Sequence, residues 1–214
     1  LFAAAHEMKR NEENEIVRSY YNDEKVEFQL VDDEDNKDQI QNRSIKIEQG
    51  NLIFLLNQED NTASIFHGKS VRGNLMIPYS IIYESKEYII VSILSRAFEY
   101  SSIKSIQFHP NSAVRTIHKE AFLNSTLESI FIPPSLVELN EGWCRCVEKL
   151  STINVSQYNL CYKEYNHQFI FGKSSNEEEN YDVLVFCVRY LKNPLIPSFI
   201  KHIGPYAFDS CNQL

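Results

Sequence analysis

The residues best equipped for chemistry in this sequence are its five cysteines and six histidines. Cys144 and Cys146 flank a single residue, which is not the C-x-x-C spacing of a zinc or thioredoxin-like site, and no second cluster supplies two further ligands. The histidines are scattered, and no G-x-S-x-G, H-E-x-x-H or Walker pattern is present. We therefore expect buried structural thiols, with no catalytic residue, no metal and no cofactor. An active site assembled in three dimensions from residues distant in sequence would show no such motif.

A run of acids from Asp32 to Asp35, followed by Asp38, has the composition of a calcium loop but not its order. An EF-hand loop starting at Asp32 needs Gly at its sixth position and Glu at its twelfth, where Lys37 and Arg43 stand. The run is therefore interpreted as a solvated acidic turn.

The charge balance limits the class of partner. The chain of 214 residues has 29 acids and 21 bases, a net charge of -8, and it contains no basic cluster. A nucleic-acid partner is not expected, because binding phosphates requires a concentrated basic surface. No segment approaches the roughly 18 consecutive apolar residues of a membrane span.

A composition break near residue 74 predicts two domains. Residues 1–74 hold 15 acids and 9 bases, net -6, whereas residues 75–214 hold 14 and 12, net -2. Within the first domain, residues 3–21 are predicted to form a charged helix, because the segment opens with alanines and continues with helix-tolerant residues. Alternating residues at 26–30 and 45–47, and an apolar run at 52–56, predict strands.

The two ends of the sequence suggest a fragment of a longer chain. Leu1 to Ala5 is either the first turn of that helix or the tail of a signal peptide. The chain stops at Leu214 inside a repeat, so we expect the second domain to be truncated at its C-terminal end.

The second domain repeats the pattern apolar-x-x-apolar-x-apolar. The pattern occupies residues 103–108, 127–132, 150–155 and 191–196, and the starts, with Leu214 as the last, are 24, 23, 41 and 23 residues apart. A unit of about 23 residues is too small to bury its own apolar side, so copies must stack and place equivalent side chains in columns. The predicted columns are Ile103, Leu127, Leu150 and Leu191, and Ile106, Ile130 and Ile153. The predicted architecture is a β-rich solenoid with minor helix.

Each unit also ends in a second landmark, in which Ala is followed by Phe, as at 97–98, 121–122 and 207–208. The unit starting at Leu127 has Trp143 and Cys144 there instead. A dense core tolerates volume changes only when they compensate. We expect a one-residue slip in which Gly142 replaces Ala and Trp143 fills the Phe column, fully buried. The alternative is an exposed tryptophan that stacks on a ligand.

The long spacing of 41 residues indicates an insertion, placed at about 156–188. Residues 169–172 and 183–188 read as two strands of a hairpin, joined by the polar segment 173–180. This segment is either a solvated tip or a contact with a specific partner.

The full unit, Ile196-Pro197-Ser198 through Ile203 to Ala207-Phe208 and Cys211, resembles the BspA-type leucine-rich repeats. These occur in bacterial surface antigens and in anaerobic protist parasites. The resemblance covers residues 75–214. It implies a non-catalytic binding solenoid, with surface attachment or adhesion as the associated role, and it transfers no catalytic residue.

Positions between the column residues on each first strand point away from the core, so they can offer a row of side chains to a protein partner. The candidate binding residues are Lys104, Gln107, Glu128, Phe131, Asn154 and Leu195. Phe131 and Leu195 are the apolar anchors of this prediction. Their alternative role is packing against flanking coils or a further unit.

Two locations fit such a module. Cell-surface exposure follows from the resemblance, and sequons at Asn42, Asn124 and Asn154 would then permit glycosylation. The odd number of cysteines instead favours a reducing compartment, where the module would be an intracellular scaffold that recruits a protein.

Overall fold

A computed structural model describes residues 8–10, 16–22, 25–28, 44–68, 70–175 and 179–214. The chain divides into two compact units, Leu1–Asn42 and Arg43–Leu214. Each is described by itself.

The first unit contains an antiparallel sheet of β1 (Met8–Arg10), β2 (Ile16–Asn22) and β3 (Lys25–Phe28). The predicted helix over residues 3–21 is therefore not supported in its described part, and residues 3–7 and 11–15 lie outside the described residues. The physical reason is visible in β2, whose β-branched Ile16 and Val17 and aromatic Tyr20 and Tyr21 favour a pleated strand over a helix. The expected acidic turn at residues 32–38 also lies outside the described residues.

The second unit is built from short strands, and its described residues contain no helix. The strands are β4 (Ser44–Gln49), β5 (Leu52–Asn57), β6 (Thr62–His67), β7 (Arg72–Ile77), β8 (Ser80–Tyr83), β9 (Lys86–Ile93), β10 (Ser102–Phe108), β11 (Thr116–Ile117), β12 (Ser129–Ile132), β13 (Glu138–Leu139), β14 (Thr152–Val155), β15 (Lys163–Tyr165), β16 (Phe169–Gly172), β17 (Val183–Cys187) and β18 (His202–Ile203).

The first strands of successive units form a parallel sheet in the order β14-β12-β10-β7. Ile106 pairs with Ile130, and Ile130 with Ile153, and each of these three side chains is buried. The predicted column of these residues is thus confirmed, because only one register superimposes the apolar positions of all units. The 191–196 segment adds no strand to this sheet, although Leu191 packs against the core.

The second strands of the units lie in a mixed sheet with the order β13-β11-β9-β6-β5-β4, and β8 pairs with β9. β6 pairs in parallel with β9, so the strands that precede residue 74 share a sheet with the repeats that follow it. The division of the chain at Asn42 therefore differs from the composition break, and a functional boundary at residue 74 stays a prediction.

The insertion contains the predicted hairpin, since β16 and β17 pair antiparallel. β15 flanks β16, and β18 of the next unit pairs in parallel with β17. The hairpin therefore stands between two units and provides the strand edge on which the following unit is built.

Trp143 is 3% exposed, which confirms its predicted burial. Its indole packs edge-on against Phe122, with ring centroids 6.0 Å apart, and lies 5.8 Å from Phe186 on its other side. Trp143 thus joins an aromatic column through the core, which Phe98 extends by stacking on Phe122.

The predicted slip at Trp143 is wrong. The amide of Phe98 donates to the carbonyl of Ala121, and the amide of Phe122 donates in the same way to Trp143, so Trp143 occupies the alanine position of its unit. Gly142 has a φ of 63° and Glu120 has a φ of 56°, which aligns the two residues before that position. The backbone turn therefore keeps the same register in this unit. Within it the large Trp143 replaces the small alanine, and the small Cys144 replaces the large phenylalanine.

A chain of charges links the turns of three units. Glu120 is buried, with Arg96 Nε at 3.0 Å from one carboxylate oxygen and Arg145 Nη1 at 2.8 Å from the other. Burial opposes ionisation of Glu120, but the hydrogen bonds and charges of the two arginines outweigh it, so the pKa of Glu120 is lowered.

Buried Asn159 anchors the start of the insertion. Its Nδ2 donates to the carbonyls of Pro133 and Leu136 at 2.8 and 2.9 Å, while its Oδ1 accepts from the amides of Cys161 and Tyr162 at 2.9 and 2.7 Å. All the hydrogen-bonding capacity of this amide goes to backbone groups, so it replaces part of the strand ladder that the insertion interrupts.

Candidate protein-binding surface

The parallel sheet of β7, β10, β12 and β14 carries a set of outward side chains, here called the outer face. Its members are Asn74, Met76, Lys104, Ser105, Gln107, Glu128, Ser129, Phe131, Thr152 and Asn154. All of them are half-buried or exposed; Glu128 lies one residue before β12, and the others lie on the four strands. Parallel pairing places equivalent members on neighbouring strands roughly 4.8 Å apart, so a partner meets a continuous row.

Lys104 and Glu128 occupy equivalent positions in adjacent units, and the Lys104 ammonium group is hydrogen-bonded to the Glu128 carboxylate. This hydrogen bond, together with the positive charge of Lys104, lowers the pKa of Glu128. The two predicted site residues therefore present a neutralised pair, which reduces the attraction of this region for ions and leaves a polar, orientation-dependent contact.

A second row runs through Met76, Gln107, Phe131 and Asn154. Met76 pairs in register with Gln107, and Phe131 with Asn154. Gln107 and Asn154 are exposed, whereas Phe131 is half-buried and packs against the core cluster. Phe131 thus packs against the core with part of its ring, and its role as a binding anchor stays a prediction.

Leu195 does not belong to this surface. Its side chain is 87% exposed, but the segment 191–196 forms no strand beside β14. Leu195 and Phe131 are equivalent positions of the repeat pattern, but the insertion separates their units, so they do not lie on paired strands.

A cleft of about 470 Å³ opens next to Glu128. Its lining includes Lys149, Ser151 and Tyr190, and the Tyr190 side chain is half exposed. The cleft offers one aromatic surface and several hydrogen-bonding groups beside the outer face, which suits a side chain of a protein partner.

Sequence reasoning missed Met76, which is 58% exposed and extends the second row by one strand. A signal for it was present. Ile77-Pro78 repeats the Ile132-Pro133 junction, and counting back one residue places Met76 at the position of Phe131. Tyr190 was missed because its cleft is formed by residues of separate units.

The described residues contain no group of three or more His, Cys, Asp or Glu side chains arranged to hold a metal ion. None of the residues that the structure describes belongs to a helix long and apolar enough to cross a membrane.

The stacked units, with repeating apolar columns and exposed positions between them, define a leucine-rich repeat protein. The family model of the BspA type leucine rich repeat region matches residues 91–214 in six copies. The chain belongs to this family.

Similar solved structures come from bacteria. A leucine rich cell surface protein of Faecalibacterium prausnitzii is 16% identical, with 78% of this chain and 68% of that chain covered and a TM-score of 0.38. A leucine-rich repeat protein of Eubacterium ventriosum is 17% identical, with coverage of 78% and 57% and a TM-score of 0.45. The pneumococcal vaccine antigen PcpA is 17% identical, with coverage of 77% and 62% and a TM-score of 0.35. No curated protein matches at a significant level.

Proposed function

We propose that this chain is a non-catalytic protein-binding module that acts at the cell surface in adhesion or host contact, with the outer face as its recognition surface. In this proposal residues 75–214 form a solenoid, and the acidic region 1–74 is a separate functional region that precedes it. Membership of the BspA-type family supports the proposal.

The observation that carries it is the second row of the outer face. The row crosses four paired strands, and the exposed atoms of its side chains lie outside the core. Its members are Met76, Gln107, Phe131 and Asn154. Two apolar side chains alternate with two amides in this row. Such a pattern combines burial of apolar area with hydrogen bonds that fix orientation, as the centre of a protein interface does.

The test is site-directed crosslinking followed by affinity measurement. A photoreactive amino acid at Gln107 should crosslink a protein partner, whereas the same group at Gln58, which is exposed in the turn after β5, should not. The captured protein is then titrated against Gln107→Arg/Asn154→Arg. We expect at least a tenfold loss of affinity, because two bulky cations are placed in the row.

The matched control is Asn51→Arg/Gln58→Arg, which adds the same charge at exposed turn residues outside the outer face. It should bind like the wild type, and circular dichroism should show both variants folded. Equal affinity of the two double variants, or crosslinks only from Gln58, would contradict the proposal.

A second candidate is an intracellular scaffold that recruits a protein through the same face. Its supporting observation is that Cys146 and Cys161 are half-buried free thiols, which suit a reducing compartment. Mass spectrometry of the native protein separates the two candidates. A glycan on Asn124, a sequon outside the outer face, requires passage through a secretory pathway, and an unmodified Asn124 with reduced Cys146 and Cys161 favours the scaffold.

A further inference from the structure

Arg189 lies at the centre of a cluster of sulfur atoms where the insertion meets the next unit. Its side chain is buried, with 4% of the residue exposed. Nη2 is 3.3 Å from the Sγ of Cys144, and Nη1 is 3.9 Å from the Sγ of Cys211. Within the described part of the chain the guanidinium bonds only to sulfur and carbonyl oxygen, and its Nε has no partner. An interior arginine ordinarily pairs with a carboxylate, so this environment is unusual.

Two of the three thiols converge on one point. The thiol of Cys187 donates to the carbonyl oxygen of Val188 at 3.4 Å, and that of Cys211 approaches the same oxygen at 3.9 Å. Cys211 also lies 4.0 Å from the carbonyl oxygen of Cys187. The backbones are adjacent, because the amide of Cys187 donates to Ala207, one turn before Cys211.

Cys144 stands apart from this pair. It contacts Nη2 of Arg189, whereas Cys211 contacts Nη1, so the two sulfurs are bound by different nitrogens of one guanidinium. Cys187 and Cys211 instead approach one shared carbonyl oxygen, that of Val188, so the geometry selects them as partners, and Cys144 serves as an internal control.

We propose that Cys187 and Cys211 form a redox-sensitive pair, which closes to an intramolecular disulfide when the protein meets a low-molecular-weight disulfide such as oxidised glutathione. Cys211 loses its proton, attacks the small disulfide and releases one thiolate of it. Cys187 then loses its proton, attacks the mixed disulfide at the Cys211 sulfur and releases the second thiolate. Two protein thiols are oxidised, one small disulfide is reduced to two thiols, and both protons pass to the released thiolates.

Burial keeps the Cys187 thiol unreactive in the closed structure. Burial raises the pKa of Cys187 to about 12, with a further contribution from the neighbouring Cys211 thiol, so the closed structure keeps the thiol protonated and unreactive. Reaction requires the unit between the two cysteines to open. This unit leaves Leu195 and Ile203 exposed and pairs through the two-residue strand β18, so it opens more readily than the aromatic core.

The positive charge of Arg189 opposes the effect of burial on the pKa of Cys187, and burial outweighs it. The closed disulfide would tie β17 of the insertion to the last turn of the next unit. In an oxidising compartment the weakly held unit is then locked onto the array, and in a reducing compartment it stays free to open.

The experiment uses the full chain with Cys146→Ser/Cys161→Ser, which removes the two half-buried thiols and retains the cluster. Equilibration with oxidised glutathione should remove two hydrogen masses, and peptide mapping should identify a single link between Cys187 and Cys211. The melting temperature should rise by roughly 6 °C or more and return to its original value with dithiothreitol, as for a disulfide that closes a loop of moderate length.

In the same background, Cys144→Ser should still form the link, whereas Cys187→Ser should give a glutathione adduct on Cys211 instead. Peptide mapping of the Cys146→Ser/Cys161→Ser protein tests the proposed link even if either further variant fails to fold. A link that involves Cys144, glutathione adducts without a link, or three thiols that stay reduced would each overturn the proposal.

Discussion

Removing the indole of Trp143 should be the most damaging single change in the array. Trp143 is 3% exposed, and its ring lies between Phe122 and Phe186 at centroid distances of 6.0 and 5.8 Å. Large-to-small core substitutions of this type cost about 3 to 5 kcal/mol. Because the indole makes two aromatic contacts within the favourable range of centroid distances, Trp143→Ala should fall in the upper half of that interval.

The assay is urea unfolding followed by far-UV circular dichroism. With an unfolding slope of about 2 kcal/mol per molar urea, a loss of about 4 kcal/mol lowers the midpoint by about 2 M. Trp143→Phe keeps an aromatic ring and should lose less than half as much. Tyr158→Ala is the control, because Tyr158 is 72% exposed and its removal should cost less than about 0.5 kcal/mol.

Fluorescence provides an independent check, since Trp143 is the only tryptophan of the chain. The native emission should be blue-shifted and should move to the red as the protein unfolds. A native spectrum already typical of a solvated indole, or coincident midpoints for Trp143→Ala and Tyr158→Ala, would refute the role of Trp143 in the core column.

Three further substitutions test the links between units. Glu120→Gln should lose about 1 to 2 kcal/mol of unfolding free energy at neutral pH in urea unfolding. Because the pKa of Glu120 is lowered in the folded state, its stabilisation is present above the pKa of the unfolded state and is lost as the pH falls through the folded pKa. The variant and the wild type should therefore converge in stability in acid. Asn159→Ala leaves four backbone partners unpaired and should cost about 2 to 4 kcal/mol in the same assay, whereas exposed Gln157→Ala should have no effect, and equal midpoints would contradict the anchor role. Ser125→Ala removes a buried hydroxyl without a hydrogen-bond partner, so thermal unfolding should show unchanged or higher stability, and a clear loss would indicate a bond that the structure does not contain.

The repeat itself was open to prediction because its signal is redundant. The column Ile106, Ile130 and Ile153 follows from spacing alone, since stacked units have one register that buries every apolar position. The insertion hairpin was predictable for a similar reason, as two apolar runs of strand length enclose a polar segment. On the outer face, Lys104 and Glu128 were placed correctly in adjacent units by the same phase.

Other features were not predicted correctly. The strand at Ile16–Asn22 pairs with the adjacent β3, and its β-branched and aromatic residues outweigh the helix tolerance of their neighbours. Leu195 left the outer face because the insertion interrupts the sheet between its unit and β14. Its sequence phase was regular, but a row of side chains requires strands that are physically paired.

The sequence by itself determined the period, the family and the apolar columns, because a short unit can be stable only when identical positions meet in its neighbours. The tertiary structure alone decided how exceptions are accommodated. The backbone turn placed Trp143 in the alanine position, and the insertion brought Cys187 and Arg189 beside Cys211. These contacts arise where one unit differs from the next, and a repeat pattern carries no information about the packing of its own irregularities.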